Sequence, residues 1–344
     1  MNHKQDDYCV GDAVIDLEID KLARRYSLPH SRFFLRELFT TVVKLYLDDA
    51  DDRDLYLANV TLKELRHIFR IFTKYRGTRK VVIFGSHRTP ANSPEYKMAQ
   101  QFSEEMVKQG YMVITGGGGG VMEAGNKGAG NQGFAVKIKL PLEMEANPYV
   151  IRGEKLINVR YFFTRKLTFI KESDATVLFP GGFGTHDEGF EVLTLLQTGR
   201  ALPRPVVFID PPSCQYWKQW RQFLEKAMLK DKYITPDDFN LFTIVNSVSA
   251  AVKEINDFYR VYHSIKYGKD LTVIRLNQRV SEKALKNLSR QYRDIMTGEI
   301  KPCGPLPNEV RAKEFVDLPR IGFQFNRKSY NRLMALIRDL NKLG

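Results

Sequence analysis

The sequence predicts an α/β protein in which a doubly wound parallel sheet carries helices on both faces. Short apolar runs alternate with longer amphipathic stretches between residues 79 and 263, and unbroken apolar strands are typical of parallel sheets covered on both sides. The predicted strands are VVIF (81–84), YMVIT (111–115), FAVKI (134–138), ATVLF (175–179), PVVFID (205–210) and FTIV (242–245). Helices are expected between them, at about 94–109, 120–131, 159–172, 186–198, 214–229 and 248–262.

Local helix signals agree with this alternation. Ser93 followed by Pro94 is typical of an N-cap and a first-turn proline. Gly110 and Gly199 each stand where a helix is expected to stop, because glycine readily adopts the left-handed conformation of a helix C-terminus. These residues support the predicted helices before and after the strands.

The two ends of the chain differ from this central region. Residues 1–78 are predicted to be helical only: apolar residues recur at helical spacing through Leu35, Leu38, Val42 and Leu45, and an acidic loop, DDADDRD, follows. Thr61 and Glu64 form a capping-box pattern that predicts a third helix from there to about residue 75.

Residues 264–344 predict a small α/β appendage. Strands are expected at LTVIRLN (271–277) and RIGFQFN (320–326), and helices near 281–296 and 328–342. The segment TGEIKPCGPLPN reads as a connector, because glycine and proline interrupt it. The predicted domains are therefore a helical region at 1–78, a central domain at 79–263 and the appendage at 264–344.

Composition sets limits on the class of protein. The 344 residues are 43% hydrophobic and 27% charged, which is ordinary for a globular protein. The start of the chain is polar and apolar runs are short, so we expect no signal peptide, no membrane partner and a cytoplasmic location. The three cysteines, at 9, 214 and 303, form no ligand or disulfide pattern, and we expect no metal site.

The net charge of +13 is unevenly distributed. Residues 264–344 hold 17 basic and 8 acidic side chains, whereas residues 1–76 are balanced. A basic region can bind nucleic acid. Aromatic residues are not interleaved with the basic ones here, so we favour a solvated basic face and expect no nucleic-acid partner.

Three glycine-containing loops follow predicted strands: GSHR at 85–88, GGGGGVME at 116–123 and PGGFGT at 180–185. The carboxyl ends of parallel strands are where open sheets bind ligands, and glycine lets backbone amides approach phosphate oxygens. The candidate phosphate- and ribose-binding residues are Gly85, Ser86, Gly117, Gly118, Gly119, Met122, Gly181, Gly182, Gly184 and Thr185. Arg88 and Glu123, in the same loops, are further candidates.

These loops do not match a dinucleotide site. The third glycine of GxGxxG is replaced by Met122 in one loop and by Asp187 in the other. The strand after the second loop ends in KIK, without the acidic residue that holds a ribose hydroxyl, and a Walker A lysine is also missing. The sequence therefore favours a mononucleotide ligand, with no cofactor.

A charged pair accompanies the third loop. Arg165 and Lys166 adjoin the apolar face of their predicted helix, where a cation needs a carboxylate or phosphate partner. Glu188 follows the third loop and has two interpretations. With Thr185 it has the spacing of a capping box, and it is equally suited to be a functional carboxylate.

The segments TRKLTFIKESDATVLFPGGFGTHDE, GSHRTPANSPEY and TGGGGGVMEAGNKGA resemble the LOG proteins, once widely labelled lysine decarboxylases. The resemblance covers roughly residues 79–230. It implies a Rossmann-like fold, dimers or larger homo-oligomers, and hydrolysis of the N-glycosidic bond of AMP or a cytokinin riboside monophosphate. It also implies that Arg165 and Glu188 are the catalytic pair and that Gly181, Gly182, Gly184 and Thr185 cradle the phosphate. His186 and Asp187 occupy variable motif positions and are assigned no role.

The chemistry is consistent with this implied pair. A carboxylate at Glu188 can stabilise an oxocarbenium-like ribosyl cation and position water, with Arg165 orienting it or the ribose phosphate. The decarboxylase label finds no support, since no lysine is marked as a Schiff-base former. The alternative is a non-catalytic nucleotide sensor or carrier of the same fold, which would need only the phosphate loops.

Overall fold

The computed structural model describes residues 8–28, 31–139, 146–150 and 153–343. The chain separates into two compact units, Met1–His67 and Ile68–Gly344. The domain boundaries expected at residues 78 and 263 stay predictions. No helix in the described ranges is long and apolar enough to cross a membrane.

The N-terminal unit is helical. Helix α1 is Ala13–Tyr26, α2 is Arg32–Leu47, and α3, Asp52–Thr73, continues past the unit boundary. The prediction that a third helix starts at Thr61 is wrong. The carboxylate of Asp51 accepts hydrogen bonds from the amides of Arg53 and Asp54, so the helix starts inside the acidic segment, nine residues earlier at Asp52.

The second unit is built on a seven-stranded parallel sheet, which confirms the predicted α/β, Rossmann-like fold class. Its strands are β1 Lys80–Phe84, β2 Met112–Thr115, β3 Gly133–Ile138, β4 Leu156–Val159, β5 Ala175–Leu178, β6 Val206–Ile209 and β7 Thr243–Val245. Their spatial order is β4-β3-β2-β1-β5-β6-β7. The chain therefore leaves β1 in one direction and later returns to add strands on its other side, so the β1/β5 junction is the topological switch point.

Helices cover both faces of this sheet. They are α4 Pro94–Lys108, α5 Val121–Ala129, α6 Phe162–Glu172, α7 Phe183–Gln197, α8 Tyr216–Phe223 and α9 Val248–Phe258. Along β1, Val81 and Ile83 belong to one apolar cluster while Val82 and Phe84 belong to the other. This alternation shows why the strand is an unbroken apolar run: each face buries every second residue.

The helix-end predictions are confirmed. The hydroxyl of Ser93 accepts from the amide of Tyr96 at the start of α4. Gly110 and Gly199 have φ of 83° and 69°. Strand β4 was not predicted, and only its last residue, Val159, lies in an expected element, the helix at about 159–172. The strand has four residues and lies at the sheet edge, where pairing on one side leaves a weak periodic signal.

The C-terminal part of this unit forms a second sheet of four antiparallel strands, ordered β10-β11-β9-β8. These strands are β8 Tyr262–Tyr267, β9 Thr272–Leu276, β10 Met296–Pro302 and β11 Arg320–Phe325. The accompanying helices are α10 Glu282–Gln291, α11 Pro307–Ala312 and α12 Tyr330–Asn341. The α/β character of the appendage is confirmed.

Two strands of this sheet were not predicted. Strand β8 begins at Tyr262, within the segment expected to extend α9. Strand β10 occupies the first part of the predicted connector. It tolerates Gly298 and Pro302 because it lies at the sheet edge and its register shifts between Thr297 and Lys301.

Candidate active site

The three glycine loops converge at the switch point. The amide of Ser86, after β1, donates to the Pro180 carbonyl at 3.1 Å. The Ser86 carbonyl in turn accepts from the amide of Val121, at the start of α5, at 3.0 Å. A Cβ on Gly120 would lie 2.3 Å from that same carbonyl oxygen, so only glycine permits this approach. Loops from β1, β2 and β5 are thus joined by backbone contacts.

The second loop is held by a buried polar network that sequence reasoning missed. The Thr115 hydroxyl donates to Asn126 Oδ1 at 2.6 Å and accepts from the Gly117 amide at 3.0 Å. Asn147 Nδ2 donates to the same Asn126 oxygen at 2.9 Å and to the Gly118 carbonyl at 3.1 Å. The second loop is therefore held through its backbone, because the Gly117 amide and the Gly118 carbonyl already form hydrogen bonds within the protein.

Replacing Asn126 by alanine is expected to destabilise the fold. Thr115 and Asn147 lose a shared buried acceptor and the Phe134 carbonyl loses its donor, Asn126 Nδ2, at 3.1 Å. Leaving buried groups unpaired costs about 1–3 kcal/mol each. Chemical denaturation measures the loss, with Asn131→Ala as the control, because that side chain is exposed just past the same helix. Equal stabilities for the two variants would contradict a structural role for the network.

The third loop leads into the N-terminus of α7. Gly182 is the N-cap residue, so Thr185 lies inside the first turn and the capping-box interpretation of Thr185 and Glu188 is wrong. The first amides of a helix have no carbonyl four residues earlier and carry the positive end of the helix dipole. A Cβ on Gly182 or Gly184 would meet no atom within 4 Å, so open space faces these residues. The helix start is suited to an anion.

Gly181 has a different reason to be glycine. A Cβ there would lie 2.1 Å from the Thr185 hydroxyl, which therefore packs directly over the loop. The Gly181 carbonyl accepts from the Tyr216 hydroxyl, and that hydroxyl lies 2.6 Å from His186 Nε2. Because Tyr216 donates to the carbonyl, His186 is the donor in the other bond. His186, left without a role by the sequence, thus braces the loop through Tyr216.

A cavity of about 470 Å³ opens between the loops of β1 and β5. Nine of the predicted candidates line it: Gly85, Ser86, Arg88, Met122, Arg165, Gly182, Gly184, Thr185 and Glu188. Its lining also contains residues that the sequence did not single out: Phe84, His87, Gly116, Phe162, Phe183 and Asp187. The other candidates are not among the lining residues: Gly117, Gly118, Gly119, Glu123, Lys166 and Gly181.

Arg165 projects from α6 and is fixed by backbone carbonyls. Its Nε donates to Val136 O at 2.9 Å, and its Nη2 donates to Gly116 O at 3.2 Å. Burial lowers the pKa of this guanidinium, while the charge of Glu188 acts in the opposite direction. Two carbonyls define the guanidinium plane, so its orientation in the cavity is set before any ligand arrives.

The far end of α6 is also anchored. Arg204 Nη1 donates to the carbonyls of Ile170 and Ser173 at 2.7 and 2.6 Å. A cation at a helix C-terminus is favoured by the negative end of the helix dipole. This contact holds the helix that carries Arg165.

Glu188 lies on α7 with only 7% of its surface exposed. Burial raises its pKa to about 7, with Lys166 and Arg165 opposing the shift and the neighbouring carboxylates adding to it. A carboxyl group with this pKa can both give and take a proton near neutral pH. The structure therefore places on the cavity wall an acid–base group whose protonation state changes near neutral pH.

Lys166 has the carboxylate partners that its apolar-face position predicted. Its Nζ lies 2.8 Å from Asp187 Oδ2, 2.9 Å from Glu191 Oε2 and 3.6 Å from Glu188 Oε2. Burial acts to lower the pKa of Lys166, but its hydrogen bonds to Asp187 and Glu191, together with the charges of Glu188 and Glu191, outweigh burial and the pKa is raised. Lys166 therefore remains a cation within a cluster of three carboxylates.

Glu123, the remaining acidic candidate, is held by the Tyr96 hydroxyl, which donates to its Oε1 at 3.0 Å. Burial and this carboxylate together raise the pKa of Tyr96. In the part of the chain that the structure describes, no group of three or more His, Cys, Asp or Glu side chains is arranged to hold a metal ion.

Comparison with known proteins gives matches to part of the chain. A family model described as a possible lysine decarboxylase matches residues 116–255. The cytokinin riboside 5′-monophosphate phosphoribohydrolase LOG1 of Arabidopsis thaliana is 28% identical over 172 residues, covering 48% of this chain and 78% of the plant protein. An uncharacterized protein of Archaeoglobus fulgidus is 32% identical over 116 residues, covering 33% of this chain and 73% of the archaeal one.

Among solved structures, a molybdenum cofactor carrier protein from Chlamydomonas reinhardtii aligns at 21% identity with a TM-score of 0.37. The alignment covers 52% of this chain and 98% of the algal one.

Proposed function

This chain belongs to the LOG family, and on that premise we propose that it is a nucleoside 5′-monophosphate phosphoribohydrolase. The reaction cleaves the N-glycosidic bond of AMP or a cytokinin riboside monophosphate, and it yields a free base and ribose 5-phosphate. The observation that carries the proposal is the buried carboxylate of Glu188, with a pKa of about 7, on the same cavity as the open N-terminus of α7.

The phosphate end of the substrate is proposed to bind at that helix start. Gly182 and Gly184 leave space for phosphate oxygens, and Thr185 adds a hydroxyl on the cavity wall. Helix N-termini favour such groups through free amides and the helix dipole. This arrangement would make the 5′-phosphate a requirement for efficient turnover.

Glu188 is proposed to act on the ribose. As a carboxylate it stabilises the oxocarbenium-like ribosyl cation and positions the attacking water, whose proton it then accepts. Arg165 orients the substrate or Glu188 from its fixed position. Because the ionised form of Glu188 is the active one, kcat/KM is expected to rise with pH through about 7.

A lysine decarboxylase activity, the description of the matching family model, is not proposed. A decarboxylase of that kind attaches pyridoxal phosphate to a neutral lysine amine. The described cavity lining contains no lysine, and Lys166, outside that lining, is a cation paired with three carboxylates. These residues do not fit that cofactor.

A panel of nucleoside monophosphates and their nucleosides tests the proposal. Incubation followed by chromatography is expected to give free base and ribose 5-phosphate from AMP or cytokinin riboside monophosphates, and no base from the nucleosides. Tight binding of a monophosphate that remains intact would instead favour a sensor or carrier. Free base from nucleosides at the same rate would contradict a role for the phosphate loops.

Assembly into a homodimer or a larger homo-oligomer is also proposed. In support of it, α6 exposes Phe162, Phe163 and Leu167 beside the cavity. Exposed apolar groups of this kind are typical of protein contact surfaces. Light scattering coupled to size-exclusion chromatography measures the mass, and a monomer at all concentrations would contradict the proposal.

A further inference from the structure

Lys166 is held in a geometry that the proposed reaction does not itself explain. Its ammonium reaches from α6 to three side chains of α7: Asp187 at 2.8 Å, Glu191 at 2.9 Å and Glu188 at 3.6 Å. The lysine side chain is 18% exposed and that of Glu188 is 9% exposed, whereas Asp187 is 60% exposed. The lysine is therefore bonded to two outer carboxylates and held close to the buried one.

We propose that Lys166 is a positioning residue that keeps Glu188 ionised, and that Asp187 and Glu191 fix the distance at which it does so. Two short contacts locate the ammonium, the third contact, to Glu188 Oε2, is longer, and Glu188 lines the cavity. A closer, direct pair would occupy that carboxylate and compete with water or ribose for its oxygens. The inference assigns to Lys166 a role distinct from substrate binding, and only its kinetic readout rests on the proposed function.

The other charged groups near Glu188 either favour its ionised form less directly than Lys166 does or oppose it. Arg165 is the second cation, but it is bonded to the carbonyls of Val136 and Gly116. Within the described residues Arg165 forms no ion pair with Glu188 at 4.0 Å or less, whereas Lys166 does. Asp187 and Glu191, the neighbouring anions, favour the protonated form of Glu188.

The sign of each contribution follows from charge. Burial raises the pKa of Glu188, Lys166 is the largest influence that lowers it, and Glu191 is the larger of the two carboxylates that raise it. Removing the lysine charge should therefore leave Glu188 protonated at neutral pH. Removing the charge of Glu191, while Asp187 still holds the lysine, should make Glu188 more acidic.

The test is a pair of substitutions with opposite expected signs. In Lys166→Met the midpoint of the rising limb of kcat/KM against pH is expected to move up by about 1–3 units, the range for loss of a nearby opposite charge. Activity lost near neutral pH should then return at alkaline pH, which a purely structural role would not produce. In Glu191→Gln the midpoint should move down, and Lys166→Arg should retain the native midpoint.

Carbon-13 NMR of the Glu188 carboxyl, assigned by its absence in Glu188→Gln, gives the same midpoints without requiring turnover. It separates this inference from the proposed function, because an inactive protein can still show the shifts. Lys171→Met is the matched control, since Lys171 lies on the same helix and pairs with Glu172. It should leave the midpoint unchanged.

Opposite shifts in Lys166→Met and Glu191→Gln would support the inference. An unchanged Glu188 midpoint in folded Lys166→Met would overturn it. If that variant fails to fold, an unchanged or raised midpoint in Glu191→Gln overturns it equally.

Discussion

Replacing Glu188 by glutamine is expected to lower the rate of adenine release from AMP by about 10²–10⁴-fold, the usual contribution of a positioned acid–base group. Glutamine keeps the size of the side chain and its hydrogen-bonding reach but cannot ionise or accept the proton of the attacking water. The measurement is the rate at saturating AMP, above the pH at which Glu188 ionises. Release of adenine by a folded variant at the parent rate would remove Glu188 from the mechanism.

The same substitution is expected to stabilise the protein, which distinguishes a catalytic group from a structural one. The pKa of Glu188 is about 7 in the folded chain against 4.5 in its ordinary state. As pH rises from 4.5 to about 7 the unfolded chain loses a proton that the folded chain keeps, so native stability falls over that window and stays lowered above it. At about 1.4 kcal/mol per pKa unit, this shift lowers the free energy of unfolding by about 3.5 kcal/mol above neutral pH.

Denaturant titrations of the two proteins at alkaline pH and below pH 4.5 measure this difference. Glu188→Gln should be the more stable protein at alkaline pH, and the two should converge at acidic pH. A variant that is less stable than the parent at alkaline pH would mean that the ionised carboxylate stabilises the fold. The loss of activity would then have a structural cause.

Much of the fold follows from local sequence patterns. The six predicted strands of the main sheet are apolar runs because helices cover both of its faces, and this pattern needs no knowledge of distant contacts. The strands that were missed are at sheet edges. Strand β4 and strand β10 pair on one side only, and their short or interrupted sequences carry little periodic signal.

The candidate site was likewise predictable in part. Glycine loops after β1 and β5 could be placed at one edge from their positions after predicted strands, and the cavity lies there. The support of those loops could not be predicted. Asn126 and Asn147 are 21 residues apart and meet only when the second loop has folded. The capping-box reading of Thr185 failed because the helix begins at Phe183, within the glycine motif itself.

Partners of the two basic residues show the limit of helical-wheel reasoning. The apolar-face position of Lys166 predicted a carboxylate or phosphate partner, and three carboxylates surround it. Arg165 is bonded to backbone carbonyls instead, one of them on Gly116. A carbonyl carries no sequence signature, so the one glycine of the second loop that touches Arg165 was not among the candidates.

Substituting alanine for Gly116, on the cavity wall, is therefore expected to lower activity by displacing Arg165. A Cβ at Gly116 would lie 2.2 Å from Arg165 Nη2 and 2.7 Å from Met122 Sδ. Both atoms lie at or near the ends of flexible side chains, so they can move without unfolding the protein. The guanidinium, however, must leave the Gly116 carbonyl that helps to orient it. Displacing a positioning group by about 1 Å can cost on the order of 10²-fold in rate.

Kinetics of Gly116→Ala and Arg165→Met test this account together. Both should lose activity to a similar degree, and combining them should add little, since each acts on the same guanidinium. Gly77→Ala is the matched control, because its added methyl group meets no atom within 4 Å. If Gly116→Ala keeps full activity, the orientation of Arg165 seen here does not matter to the reaction. If the double variant is far worse than either single one, the glycine has a second role, such as shaping the loop beside Met122.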